Sequence, residues 1–189
     1  MEIIIYDIPE SGQELLFDTA KHEWFARIVK DTLGEAFGET DRAELKLRLD
    51  RFEDDVDISG EFRAKYHPAC DRCLERADEE LVFPIRSHMT PLYKNDRQRE
   101  REAAEAADVE IVKEDLEFSY YEGDRLHLDT FINEQIVLAR PMKHLCSENC
   151  KGLCTRCGAN LNEGTCDCKD EHADPRWEAL KNIKIGPRD

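Results

Sequence analysis

No stretch of this chain approaches the roughly 20 consecutive apolar residues of a membrane-spanning helix, so no membrane association is expected. The opening MEIIIYDIPE has a short apolar run with no basic residue before it. That is not the form of a secretory signal, and a cytoplasmic location is expected. Positive charge is also scarce, with 27 Lys and Arg against 43 Asp and Glu and a net charge of −16. The deficit is uneven. Residues 140–189 hold nine basic and eight acidic residues, leaving 18 against 35 in residues 1–139, a net −17. A body so acidic repels phosphate backbones, which excludes tight, nonspecific nucleic-acid binding by the main domain and favours basic proteins as partners. There is no Gly-rich phosphate loop, no nucleophile elbow and no internal repeat. No histidine has a partner pattern suggesting catalysis, and no small-molecule substrate is implied.

What is present is a globular composition, 40% hydrophobic, in a chain of 189 residues. KHEWFARIVKDTLGEAF (21–37) sets apolar residues at helical spacing. The period then becomes two. Leu45, Leu47 and Leu49 alternate with charged residues, and so do Val56, Ile58, Phe62, Ala64 and Tyr66. These are half-buried strands joined by an acidic turn at 53–55. Residues 80–89 form another strand, in which Pro84, lacking an N–H, marks an edge or a bulge. LEFSYY and RLHL predict a hairpin around Gly123. A second helix follows from Asp129, as N-cap, to Pro141. Residues 95–110 are nearly devoid of apolar side chains and read as a solvated loop or loose helix. DPRWEALKNI, with Asp174 as N-cap and Pro175 at the first position, predicts a short closing helix carrying Trp177. The expected fold is α+β: an antiparallel meander sheet packed by two helices in an acidic domain (1–140), then a cysteine-rich, zinc-ribbon-like segment with the closing helix (141–189).

Six of the eight cysteines fall between residues 146 and 168, in the pairs Cys146/Cys150, Cys154/Cys157 and Cys166/Cys168. In a reducing compartment such thiols are more often metal ligands than disulfides. CTRCG has the form of a zinc knuckle: two thiolates on one tight turn, with Gly158 free to take positive φ while amides point at sulfur. From 141 to 170 the sizeable apolar side chains are Met142, Leu145, Leu153 and Leu161, too few for a core. A structural zinc, worth roughly 10–16 kcal/mol in small modules, would offset the ordering cost. The first-choice ligands are Cys154, Cys157, Cys166 and Cys168. Cys146 and Cys150 could replace one pair or join a shared site. Two full sites would need outside ligands from His144, His172 or the remote Cys70 and Cys73. Four thiolates close the coordination shell, so the role is structural rather than catalytic.

The remote pair sits in HPACDRCLERA between two predicted strands. A redox CxxC opens a helix, whose dipole lowers the first thiol's pKa, and these flanks do not fit that pattern. The readings left are a turn whose thiols pack locally and a metal site, the latter with His67 as a candidate ligand.

CDRCLERA, LCSENCKGLCTRCGANLNEGTCDC and DPRWEALKNI together resemble the YceD-like proteins, the large ribosomal RNA subunit accumulation proteins. The resemblance implies a bacterial cytoplasmic protein, with plastid relatives, supporting accumulation or processing of precursor 23S rRNA without enzymatic activity. Relatives with the mid-chain CxxC and no later cluster imply that the two need not form one site. Three functions are weighed. The first is a ribosome-biogenesis factor touching protein partners (ribosomal proteins or rRNA-processing factors) and precursor 23S rRNA, through Lys143, Lys151, Arg156, Lys181 and Lys184. The second is an acidic escort for a basic ribosomal protein without RNA contact. The third and remotest is a thiol-disulfide enzyme using Cys70 and Cys73.

Overall fold

A computed structural model describes residues 1–92 and 118–168. The 95–110 segment and the closing helix, with His172, Trp177, Lys181 and Lys184, lie outside the described residues. The strands are β1 (Glu2–Ile4), β2 (Gln13–Asp18), β3 (Ala43–Phe52), β4 (Asp55–Tyr66), β5 (Glu79–Pro91), β6 (Phe118–Tyr121) and β7 (Arg125–His127); the helices are α1 (Glu23–Leu33) and α2 (Leu128–Ala139). Among the described residues no helix is long and apolar enough to cross a membrane.

The sheet order is β2-β3-β4-β5-β6. Its first four strands run antiparallel in chain order, so the molecule is α+β with an antiparallel-rich sheet. The period-two pattern explains its buried face. Leu45, Leu47, Leu49, Val56, Ile58, Phe62, Ala64, Tyr66, Leu81 and Ile85 turn inward, while the charged alternates face water. From α1, Phe25, Val29 and Leu33, four residues apart, supply one stripe to the same core. From α2 come Leu128, Phe131, Ile132 and Ile136. The two helices are tied side by side, with Arg140 Nη1 donating to the Thr32 carbonyl at 2.8 Å. Phe62 sits at the centre, its ring 5.1 Å from stacked Phe83 and 6.3 Å from edge-on Phe25.

Several expectations change. LEFSYY and RLHL do not form a hairpin. Gly123 turns the chain with φ 72°, but β6 pairs in parallel with β5, and β7 pairs antiparallel with β1 in a separate two-stranded sheet. Each short strand found a longer-range partner, and a parallel pair cannot be closed by a tight turn. Asp129 is not the N-cap of α2; that position is His127, and Asp129 lies in the first turn. Strand β2, at the sheet edge, is a further element, without period-two alternation because Leu15, Leu16 and Phe17 run together. The acidic turn uses Glu53 (φ 56°) and Asp54, with Asp55 already paired to Phe52. Pro84 pairs with Glu61 on β4, and on the other side β6 reaches only His88–Pro91, so β5 has no described neighbour beside Pro84.

Tyr66 and Glu79 form the last rung between β4 and β5. Residues 67–78 continue past that rung, and they carry Cys70 and Cys73.

Candidate metal centres

Residues 69–76 form a knuckle. The Cys70 amide donates to the Glu75 carbonyl at 2.7 Å, the Leu74 amide to the Cys70 carbonyl at 2.9 Å, and Ala69 bridges Arg76. Residues 153–160 repeat it bond for bond. The Cys154 amide donates to Ala159 at 2.8 Å, the Gly158 amide to Cys154 at 2.9 Å, and Leu153 bridges Asn160. Leu74 (φ 65°) and Gly158 (φ 73°) take the same left-handed position. ACDRCLER and LCTRCGAN are thus one local structure used twice, a likeness hidden in the sequence by its brevity.

The cysteines gather into two groups of four. Cys70, Cys73, Cys146 and Cys150 form one, and Cys154, Cys157, Cys166 and Cys168 the other, the sulfurs of each group all within 4.8 Å of one another. In the first group Cys70 Sγ lies 3.8 Å from Cys150 Sγ, and Cys73 Sγ 3.5 Å from Cys146 Sγ. Sulfurs at the corners of a tetrahedron with metal bonds of about 2.3 Å stand ~3.8 Å apart, so this donor set fits a thiophilic dication. All eight cysteines are free. The mid-chain pair therefore neither packs by itself nor stands apart from the later cluster. Sequence separation concealed this, because the sheet and α2 carry residue 146 back to residue 73.

Two proposed helpers are engaged elsewhere. His67 contacts Asp78 through Nδ1 at 2.6 Å and Asp41 through Nε2 at 3.2 Å. His144 contacts Glu79 through Nδ1 at 2.8 Å, and its amide donates to the Asp71 carboxylate at 2.6 Å. The second full group needs neither, since Cys70 and Cys73 complete the first.

The groups differ in surroundings. Cys70, Cys73 and Cys150 are buried against Leu145 and Leu153, with Cys146 exposed. In the second group Cys157 is exposed and the other three are half-buried. Electrostatics favour thiolate at the head of each knuckle. The Cys146 amide, joined by those of Arg72 and Cys73, draws Cys70 down to about 6 against the cost of burial. Amides of Cys157 and Arg156 draw Cys154 to about 6. Asn162 does the same in direction for Cys150. The Glu75 amide pulls Cys73 down, but burial and the neighbouring sulfurs outweigh it and push the thiol up to about 12. Cys168, beside Cys157, also rises to about 12. Negative charge accumulating on four close sulfurs is what a cation would neutralise.

Arg72 and Asn162, neither of them expected to contact a cysteine group, hold the groups in place. Arg72 Nη1 donates to the Cys150 carbonyl at 2.7 Å, and the Arg72 carbonyl accepts the Leu153 amide at 3.0 Å. Gly152 passes so close that a β-carbon there would sit 3.0 Å from the Arg72 oxygen. Asn162 Nδ2 donates to Cys150 Sγ at 3.3 Å. The signal they leave in the sequence is slight: Arg precedes the second cysteine in both CDRC and CTRC, and Asn162 lies in the loop between Cys157 and Cys166. Lys143, Lys151 and Arg156 are exposed on this segment.

No solved structure matches the chain. A curated relative, large ribosomal RNA subunit accumulation protein YCED homolog 1, chloroplastic, from Arabidopsis thaliana, is 27% identical over 156 residues. The match covers 76% of this chain and 46% of that protein, so the chain spans about half the relative's length. The family model for the large ribosomal RNA subunit accumulation protein YceD matches residues 58–184, taking in both knuckles and both cysteine groups. The chain belongs to the YceD family.

Proposed function

We propose that this chain is a non-enzymatic cytoplasmic factor supporting accumulation of 23S rRNA and assembly of the large ribosomal subunit. Family membership is the observation that carries this reading. Zinc is the proposed ion, held by Cys70, Cys73, Cys146 and Cys150 in one group and by Cys154, Cys157, Cys166 and Cys168 in the other. Four sulfur donors per ion leave no position for substrate, so the metal's contribution is to rigidify. The cysteine-rich segment then presents a fixed surface in place of a hydrophobic core that its sequence cannot build.

Protein contact is the principal interaction in this reading. Residues 1–139 carry a net −17, which suits basic ribosomal proteins and opposes RNA at long range. Precursor rRNA contact is assigned to the near-neutral segment, where Lys143, Lys151 and Arg156 are exposed, with Lys181 and Lys184 as further candidates.

Affinity capture from cells with and without RNase tests the division, alongside 23S rRNA levels after deletion. Ribosomal proteins retained after RNase and reduced 23S rRNA are expected. Complete loss of those partners after RNase moves the contact to RNA, and unchanged 23S rRNA after deletion overturns the function.

A further inference from the structure

The first cysteine group draws on parts of the chain 73 residues apart, Cys73 and Cys146, whereas the second lies wholly within 154–168. One side chain joins them. Asn162 belongs to the loop between Cys157 and Cys166 that the second group closes, yet its Nδ2 donates to Cys150 Sγ in the first group. Its Oδ1 accepts the amide of Lys151, the next residue along, at 2.7 Å. Only this orientation of the side-chain amide satisfies both bonds. Reversed, it would set oxygen against sulfur and NH2 against N–H. Asn160 Oδ1 steadies the same residue, accepting from the Asn162 backbone amide at 3.1 Å and from Nδ2 at 3.0 Å. Asn160 is itself bridged to Leu153, and the Leu161 amide donates to the Gly152 carbonyl at 2.9 Å.

We propose that Asn162 is a positioning residue through which the second cysteine group, once it holds a thiophilic dication, completes the first, so that the two ions load in order. This rests on the reading that both groups bind metal. The second group needs only residues 154–168 to assemble, whereas the first also needs residues 146–150 docked on the 69–76 turn, so the second fills first. Closing it orders residues 160–162 and presents an N–H donor to the Cys150 thiolate. Such a bond aims the ligand and spreads its charge, and losing an outer partner of this kind costs about 10–100-fold in metal affinity. Because Asn162 is exposed, the lower end, about tenfold, applies.

The test is chelator-competed Zn2+ binding to the full chain, counted by native mass. Amide resonances of Arg72 and Cys146 report the first group, and those of Arg156 and Cys168 the second. Asn162→Asp keeps the acceptor for Lys151 and replaces the donor with a negative oxygen, whereas Asn162→Ala removes both. Both variants weaken the first group about tenfold and leave the second unchanged. Cys157→Ser, which disables the second group, weakens the first by a similar factor, and adding Asn162→Ala then changes nothing further. If Asn162→Asp binds as wild type while Asn162→Ala does not, Asn162 only braces Lys151 and the coupling is overturned. Equal first-group affinity in wild type and Cys157→Ser overturns it too. A wild-type chain that takes up no zinc at all removes the metal reading itself, an outcome distinct from two ions that load independently.

Discussion

Leu74 and Gly158 stand at the same point of two matching turns. Each has positive φ, and each donates its amide to the first cysteine of its pair at 2.9 Å. One turn has glycine where the backbone asks for it, and the other makes do with an exposed leucine. A left-handed conformation costs an L-residue roughly 1–2 kcal/mol. Gly158→Leu is therefore expected to weaken the second cysteine group by about 1 kcal/mol, whereas Leu74→Gly leaves the first as tight or tighter. Chelator competition on the two variants measures both; equal losses would mean that backbone strain does not distinguish the turns.

Ligand removal separates the groups. Cys154→Ser is expected to lose the second ion outright, and Cys73→Ser the first, with the β2–β5 sheet still folded in both. Native mass counts the ions, and amide-proton exchange in β3 and β4 reports the sheet. In Cys73→Ser, protection should fall around residues 144–150, which the first group ties to Asp71 and Arg72. Two ions retained in either variant would show that the ligand sets are different ones.

Protons must leave as metal enters. The thiols of Cys73 and Cys168 hold their protons to about 12, so both are protonated at neutral pH before a cation binds. Cys70 and Cys154, at about 6, are largely ionised there. Zinc uptake at pH 7 should release protons, and affinity should rise with pH and fall steeply on acidification. Calorimetric titration in buffers of different ionisation enthalpy gives the proton count. A count of zero per ion would contradict thiol ligation.

Gly60 is a packing glycine in mid-strand. A β-carbon there would lie 2.0 Å from the Lys46 carbonyl oxygen, backbone that cannot move without parting β3 from β4. Gly60→Ala is expected to destabilise the fold by about 2–3 kcal/mol, in the range of overpacked core substitutions. Urea unfolding would show it as a lower midpoint with an unchanged slope, and a wild-type midpoint would refute the close approach.

The longest strands and both helices were legible because their hydrophobic periods are long and clean. Alternation through Leu45–Leu49 and Val56–Tyr66 leaves one register that buries every apolar residue. The three- and four-residue strands β6 and β7 were legible as extended segments but not in their pairing, since so few residues match several partners equally well. The cysteines follow the same rule. Spacing alone gathers Cys154, Cys157, Cys166 and Cys168, for ligands close in sequence must be close in space.

By itself the amino-acid order determined an acidic α+β body, a knuckle at 154–158 and a tail too poor in apolar side chains to make its own core. Tertiary structure alone decided that Cys70 and Cys73 meet Cys146 and Cys150, and that Asn162 reaches across to Cys150. The meeting of the two pairs depends on where the β4–β5 end and the α2 C-terminus come to rest. That is a property of the packed sheet and helices, not of any local run of residues.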